Sequence, residues 1–208
     1  MPSNSGTKDH REIEIKLPAG DSKQLSESLS QFGFKVLEPR HFESNYLFDF
    51  DDRRLLKARS LLRLRSASGE AWLTFKGPPS RSRHYKSRRE LETRVGDGSL
   101  FCEILKSLGL KRVFTYEKYR AVYAHPGKTG IAGSLQLTYD ETPIGNYLEL
   151  EGPEAWIDEV ATRLGYSRRD YITSSYVTLY FQKCQQEGKK PGNMVFGGRK
   201  SRLGFAAT

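Results

Sequence analysis

The chain is poor in sulfur, with two cysteines and two methionines among 208 residues. Cys102 and Cys184 lie far apart, each in a helix-like stretch, so a disulfide framework is excluded and both read as reduced packing residues. Long apolar runs are also missing. No stretch approaches the roughly 20 residues needed to span a bilayer, and the first ten residues are polar, without the apolar block of a secretory signal. The expectation is a soluble, cytoplasmic protein with no membrane partner. His10, His41, His84 and His125 show no metal-ligand spacing and receive no chemical role.

What the chain has in excess is charge, with 34 Lys and Arg against 25 Asp and Glu, a net charge of +9. Part of the surplus lies at the end. From about Glu187 onward, Gly188-Lys189-Lys190-Pro191-Gly192 and Gly197-Gly198-Arg199-Lys200-Ser201-Arg202 are Gly-rich and basic. Residues 187–208, like residues 1–9, are expected to be flexible extensions of one domain spanning 10–186. Nucleic acid is the less favoured partner for this tail, because the aromatics that would stack on bases are sparse.

Within that body, charge falls at every second position. Glu12-Ile13-Glu14-Ile15-Lys16 puts three charged side chains on one face of a strand and two isoleucines on the other. Glu90-Leu91-Glu92 and Glu149-Leu150-Glu151 repeat the acidic pattern, while Arg63-Leu64-Arg65, Lys76 and Lys118-Tyr119-Arg120 supply basic counterparts. The period of two favours strands over helices. A few helices are expected between them. Asp21 can cap one carrying Leu25, Leu29 and Phe32 before Gly33, and Asp97 one carrying Leu100, Phe101, Ile104, Leu105 and Leu108 before Gly109. Pro153 suits the first turn of a third, and a last covers Ser174 to Gln186. Arg11 to Asp49 repeats the element order of Arg89 to Tyr123, which suggests a duplicated strand-helix-strand unit.

For a single strand, a charged face simply points to water. The set argues otherwise, because acid pairs and base pairs are segregated by strand and roughly eight antiparallel strands suffice to close a barrel. The fold class expected is α+β, a closed eight-stranded antiparallel barrel with helices packed outside. Its lumen would hold Glu12, Glu14, Glu90, Glu92, Asp140, Glu149 and Glu151 against Lys16, Arg63, Arg65, Lys76, Arg88, Lys118 and Arg120. Uncompensated charge there costs several kcal/mol per ion, so a strongly charged ligand should complete it. A metal-bound polyphosphate fits: guanidinium forks match phosphate oxygens and hard carboxylates hold Mg²⁺ or Mn²⁺.

These residues resemble the CYTH domains, or triphosphate tunnel metalloenzymes. Glu12, Glu14 and Lys16 match the family's Glu-x-Glu-x-Lys, Leu62-Arg63-Leu64-Arg65 its Leu-Arg-x-Arg, and Lys76-Gly77-Pro78 its Lys-Gly-Pro. Glu90 and Glu92, Lys118 and Arg120, Asp140, then Glu149 and Glu151 follow in the family's order, and Ser175-Tyr176 resembles its C-terminal Ser-Tyr. Asn45-Tyr46-Leu47-Phe48-Asp49 resembles its Asn-x-Tyr-Phe-Asp, with Leu47 in place of the usual Tyr. The resemblance implies divalent-metal ligands at Glu12, Glu14, Asp140, Glu149 and Glu151. It implies phosphate contacts from Lys16, Arg63, Arg65, Lys76, Arg88, Lys118 and Arg120. Lys16, Glu90, Glu92 and Lys118 are the side chains expected nearest the chemistry.

The resemblance leaves two reactions on a triphosphate-containing small molecule. One is hydrolysis of the terminal phosphoanhydride of inorganic triphosphate, thiamine triphosphate or a nucleotide. The other is the class IV adenylyl cyclase reaction, giving cyclic AMP and pyrophosphate from ATP. Hydrolysis is preferred because no residue set announces a base pocket. A non-catalytic polyphosphate or nucleic-acid binder leaves the acids unexplained. Both monomer and homodimer stay open.

Overall fold

Alternating charge and aliphatic side chains along the chain resolve into eight antiparallel strands that close on themselves. The computed structural model describes residues 11–80, 84–125 and 135–197. The first half holds β1 (Arg11–Ala19), α1 (Ser22–Gln31), β2 (Lys35–Asp49), the one-turn α2 (Arg54–Lys57), β3 (Leu61–Ala67) and β4 (Glu70–Lys76). The second holds β5 (Lys86–Val95), α3 (Gly98–Ser107), β6 (Lys111–Ala124), β7 (Gln136–Thr142), β8 (Gly145–Glu151) and α4 (Glu154–Arg163). A 3-10 turn (Arg168–Asp170) and α5 (Tyr176–Gln186) follow. The expected α+β barrel is therefore present.

The strands run round the barrel in the order β1-β5-β4-β3-β2-β6-β7-β8. Exchanging β1 to β4 for β5 to β8 reproduces the same cyclic order, which is the duplicated unit expressed as topology. Several strands turn an apolar side outward under a helix. Ile15, Leu17, Leu148 and Leu150 are buried with Leu29 of α1 and with Trp156, Ile157 and Val160 of α4. Tyr46, Phe48 and Leu64 are buried with Cys102 and Leu105 of α3. Two of the core clusters thus lie between barrel and helices, and burial of each of these large side chains is worth about 1.5–3 kcal/mol.

Local signals fix the helix ends. Asp21 accepts from the Lys23 N–H at 2.7 Å and Asp97 from that of Leu100 at 2.9 Å. Gly33 and Gly109, at φ 82° and 87°, take the left-handed step that ends α1 and α3. Two boundaries shift by a residue or two. Pro153 is the N-cap of α4 rather than part of its first turn, and α5 starts at Tyr176 with Ser175 as its cap.

Two late segments complete strands that the barrel leaves half-paired. β1 pairs with β5 over Arg11 to Glu14 only. Beyond that point Ile172 exchanges two 2.9 Å backbone hydrogen bonds with Lys16. On β6, Met194 bonds to the backbone of Thr115 and Glu117 at 3.0 and 2.9 Å. The stretch 187–197, basic enough to be expected as flexible, thus lies partly on the barrel: Met194 is fully buried and Phe196 packs on Tyr119 with ring centroids 5.3 Å apart. Two apolar side chains at strand spacing outweigh the average composition of their window. The whole of the expected N-terminal extension (1–9), His10 and the outer part of the C-terminal extension (198–208) lie outside the described residues. No helix among the described residues is long and apolar enough to cross a membrane.

Met194→Ala should lower stability by about 2–4 kcal/mol, the cost of truncating a large buried side chain. Urea unfolding reads this directly; an unchanged midpoint would mean that residues 187–197 contribute nothing to the fold.

Candidate active site

A side chain on every second residue of a closed barrel has only the lumen to enter. The result is a central cavity of about 500 Å³ to which all eight strands contribute. Glu12 and Glu14 come from β1, Glu43 from β2, Arg63 and Arg65 from β3, and Lys76 from β4. Glu90 and Glu92 come from β5, Lys118 and Arg120 from β6, Gln136 from β7, and Glu149 and Glu151 from β8. Three expected members stand apart. Lys16 is buried below the cavity, Asp140 lies beneath the bases of β6, and Arg88 lines a second cavity together with Leu47.

The strand register decides who pairs with whom. Lys76, opposite Glu90 on β5, places Nζ 2.7 Å from both Glu90 and Glu12. Lys16, opposite Glu149 on β8, lies 3.0 Å from Glu149 and 3.2 Å from Glu14. Glu92 accepts from the Thr74 hydroxyl at 2.6 Å and meets Arg63 and Arg65 at 3.4 and 3.3 Å. Asp140, opposite Arg120, accepts both arms of its guanidinium at 2.7 and 2.6 Å, the Lys118 ammonium at 3.0 Å and the Tyr176 hydroxyl at 2.7 Å. Arg120 also reaches Glu149.

The protonation states follow from this sharing. One ammonium serves both Glu12 and Glu90. Burial, reinforced by Glu14, holds the Glu12 carboxyl well above the usual range despite Lys76, whereas Glu90 falls to about 2 because the Glu12 hydrogen bond and Lys76 overcome its burial. Of the two, Glu12 is the more readily protonated. Burial also lifts Glu151 to about 7 despite Lys76, with Glu14, Glu90 and Glu149 adding to the rise. Glu14 is buried too, yet Lys16, Lys86 and Lys76 keep it well below the usual range. Lys86 drops to about 8 because burial costs its charge more than Glu14 returns while Glu14 is shared with other lysines. Lys86 donates to Glu14, which it shares with Lys16.

Four residues of the network carried no role in the sequence reading. Glu43 lies 3.4 Å from Arg65 and 3.5 Å from Lys118, and Thr74 orients Glu92. Lys86 continues the alternation Lys86, Arg88, Glu90, Glu92 and was legible by extending that period backward. Tyr176 was part of a recognised dipeptide, but its aim at Asp140 depends on how α5 docks. Its ring also lies 5.1 Å from the Lys16 ammonium and 5.6 Å from that of Lys118.

A family model described as the CYTH domain matches residues 10–176. The chain belongs to the CYTH family. A relative described as a putative adenylate cyclase of Methanocaldococcus jannaschii is 30% identical over 178 residues, covering 81% of this chain and 97% of the relative. The structure of a putative adenylate cyclase from Vibrio parahaemolyticus superposes with a TM-score of 0.69 at 18% identity, covering 83% and 98% of the two chains. A Hippeastrum protein, described as a putative adenylyl cyclase with a dominant triphosphatase activity, gives 0.58 at 21% identity, covering 87% and 97%. At these identities the two structures bear on the fold alone.

The donor chemistry of this CYTH domain suits a hard divalent cation. Glu12, Glu14, Glu149 and Glu151 are oxygen donors on adjoining strands, and burial, with neighbouring acids adding to it, raises Glu12 and Glu151 above the usual carboxylate range. Among the described residues, however, no three acidic, histidine or cysteine side chains already converge as a metal cluster. The acids are turned onto Lys and Arg, and a cation would replace protons and lysine contacts. The bases likewise have capacity to spare: among the described residues, Arg63 and Arg65 each keep a buried Nε without a hydrogen-bond partner.

Asp140 differs from the other acids, because donors from Lys118, Arg120 and Tyr176 already surround it. Asp140→Asn should therefore act on the bases: unfolding studies should show a loss of about 3–5 kcal/mol, since it leaves two buried cations underneutralised. Stabilisation by added Mg²⁺ or Mn²⁺ should persist in this variant, and its disappearance would return Asp140 to the metal ligands.

Proposed function

We propose that this CYTH domain is a divalent-metal-dependent enzyme that hydrolyses the terminal phosphoanhydride of a triphosphate. The observation that carries the reading is the central cavity itself, lined from all eight strands by opposed acids and bases. A protein that only neutralised polyphosphate would need the bases and be weakened by the acids, which repel phosphate unless cations intervene. Both sets together match a metal-bound triphosphate.

In this reading Arg63 and Arg65 hold one end of the phosphate chain, and Arg120 with Lys118 holds the other. Their positions are set by Glu92, Thr74, Glu43 and Asp140 rather than by mobile side chains, so little reorganisation accompanies the development of charge. Lys76 and Lys16 lie between these groups and the acids of β1 and β8. Glu12, Glu14, Glu149 and Glu151 would hold the metal. A bound divalent cation would supply neutralisation of the phosphate oxygens and a more acidic water.

A second reading, class IV adenylyl cyclase, draws support from the description of the Methanocaldococcus relative. It uses the same grip but attacks the α-phosphorus with the ribose 3′-hydroxyl. Purified protein with Mg²⁺ or Mn²⁺ should release phosphate from tripolyphosphate, thiamine triphosphate or ATP, and chelation should stop it. Glu12→Gln combined with Glu14→Gln should reduce turnover on the order of 100-fold or more. Cyclic AMP with equimolar pyrophosphate would establish the cyclase instead, and metal-independent turnover in the double variant would remove the metal from the reading.

A further inference from the structure

Glu43 holds its bases loosely. It is 1% exposed, yet Arg65 stands 3.4 Å away and Lys118 3.5 Å, whereas Asp140 accepts its two bases at 2.6–3.0 Å. Among the described residues Glu43 Oε2 has no hydrogen-bond partner. A buried carboxylate ordinarily draws cationic neighbours into full hydrogen bonds, because little else screens its charge. A third cation, competing for the same carboxylate, accounts for the looser hold.

That cation is His41, two residues earlier on β2. Its Nε2 is 3.4 Å from Glu43 Oε1, the oxygen that also faces Arg65, and its Nδ1 is 2.9 Å from the Pro39 carbonyl. Carbonyl and carboxylate oxygens only accept, so both ring nitrogens face acceptors and the imidazole is satisfied with a proton on each. Glu38 adds a further carboxylate at 3.9 Å. The Glu43 hydrogen bond first, then the Pro39 carbonyl and the two acids, hold the ring's pKa above its ordinary value despite burial. The charges of like sign are Arg120, opposite His41 in the β2–β6 register, and Arg65 and Lys118 beyond Glu43. Arg120 is itself turned onto Asp140 and Glu149.

We propose that His41 is a positioning residue for the phosphate-binding bases: its imidazolium occupies Glu43 and so leaves Arg65 and Lys118 free to turn to a phosphate chain. The proposal rests on the triphosphate reading of the central cavity and adds a control of that site by pH. His41 is not among the side chains lining the cavity, whereas Glu43, Arg65 and Lys118 are, so its action passes through Glu43. Loss of the ring proton makes Nε2 an acceptor facing a carboxylate, and the contact breaks. Glu43 then draws Arg65 and Lys118 with one competitor fewer, and bases spent on Glu43 are withdrawn from the ligand. Affinity for an anionic ligand is therefore greatest below the raised pKa of His41 and falls as pH rises through it.

The test measures affinity by calorimetry in Mg²⁺ with diimidotriphosphate, whose bridging nitrogens resist hydrolysis. His41→Gln removes the charge and His41→Lys makes it permanent, both at a part-exposed position where a fold defect is not expected. Dividing the wild-type affinity by that of His41→Gln at each pH cancels the titration of the ligand and of other lumen groups such as Glu151 and Lys86. The quotient should be about fivefold at pH 6 and approach unity at pH 9, while His41→Lys should keep an advantage of about fivefold over His41→Gln at both. In a Glu43→Gln background the quotient should stay below about twofold at every pH, because the intermediary is gone; Glu43→Asp takes its place if that variant does not fold. A quotient that does not change with pH, a quotient of unity at pH 6, or a pH-dependent quotient that survives the change at Glu43 would overturn the inference. The last would mark direct attraction between ring and anion. Failure of the parent reading looks different: wild-type protein would bind the analogue at no pH.

Discussion

Closure of the sheet is the constraint on which the rest depends. An open sheet with this sequence would leave its charged face in water, where ion pairs are worth little and side chains are free to move. Because β1 pairs with both β5 and β8, that face has no outside. Lys16, Glu43, Lys118 and Asp140 are 3% exposed or less, and each must find opposite charge within reach. The network of shared partners is the consequence. Lys76 serves two acids, Asp140 serves two bases and a phenol, and Glu92 holds two guanidinium groups. Sharing leaves charge incompletely matched at the centre, and that residue of unmatched charge is what a charged ligand can use.

Much of this was legible in the sequence because the signal is redundant. A period of two, repeated with acids at Glu12, Glu90 and Glu149 and bases at Arg63 and Lys118, fixes both strand and face, and closure follows from the number of strands. The parts that escaped are those where the informative distance is not along the chain. Glu43 meets Arg65 and Lys118 only because β2 lies between β3 and β6. Asp140 looked like one more acid in an ordered series. Its partners, Lys118, Arg120 and Tyr176, are set by pairing of β6 with β7 and by the docking of α5. Met194 was hidden for a different reason, since a single buried side chain is invisible in the composition of a basic, Gly-rich window.

The two ends of the lumen are built by different means, which gives the tunnel a direction. One is a ring of charge contributed by strands. The other is finished by the chain after β8: Ile172 extends the pairing of β1, Met194 that of β6, and α5 lies between them with Tyr176 inserted among Tyr116, Tyr147 and the leucine wall. Apolar and aromatic closure at that end lowers the local dielectric around Lys16 and Lys118, and their contacts with Asp140 and Glu149 strengthen accordingly.

Tyr176 ties these two constructions together. Its hydroxyl donates to Asp140 Oδ2, the same oxygen that accepts Lys118 Nζ and one arm of Arg120. The position of α5 therefore enters the geometry of the bases through a single buried carboxylate. Lys16 approaches the face of the same ring and bridges Glu14 to Glu149, so the acids of β1 and β8 respond to it as well. A displacement of α5 would alter the hydrogen bonding of Asp140 and the packing of Lys16 together, because both meet one side chain. The C-terminal helix is thus a positioning element for both halves of the charged ring, although it contributes no charged group to that ring itself.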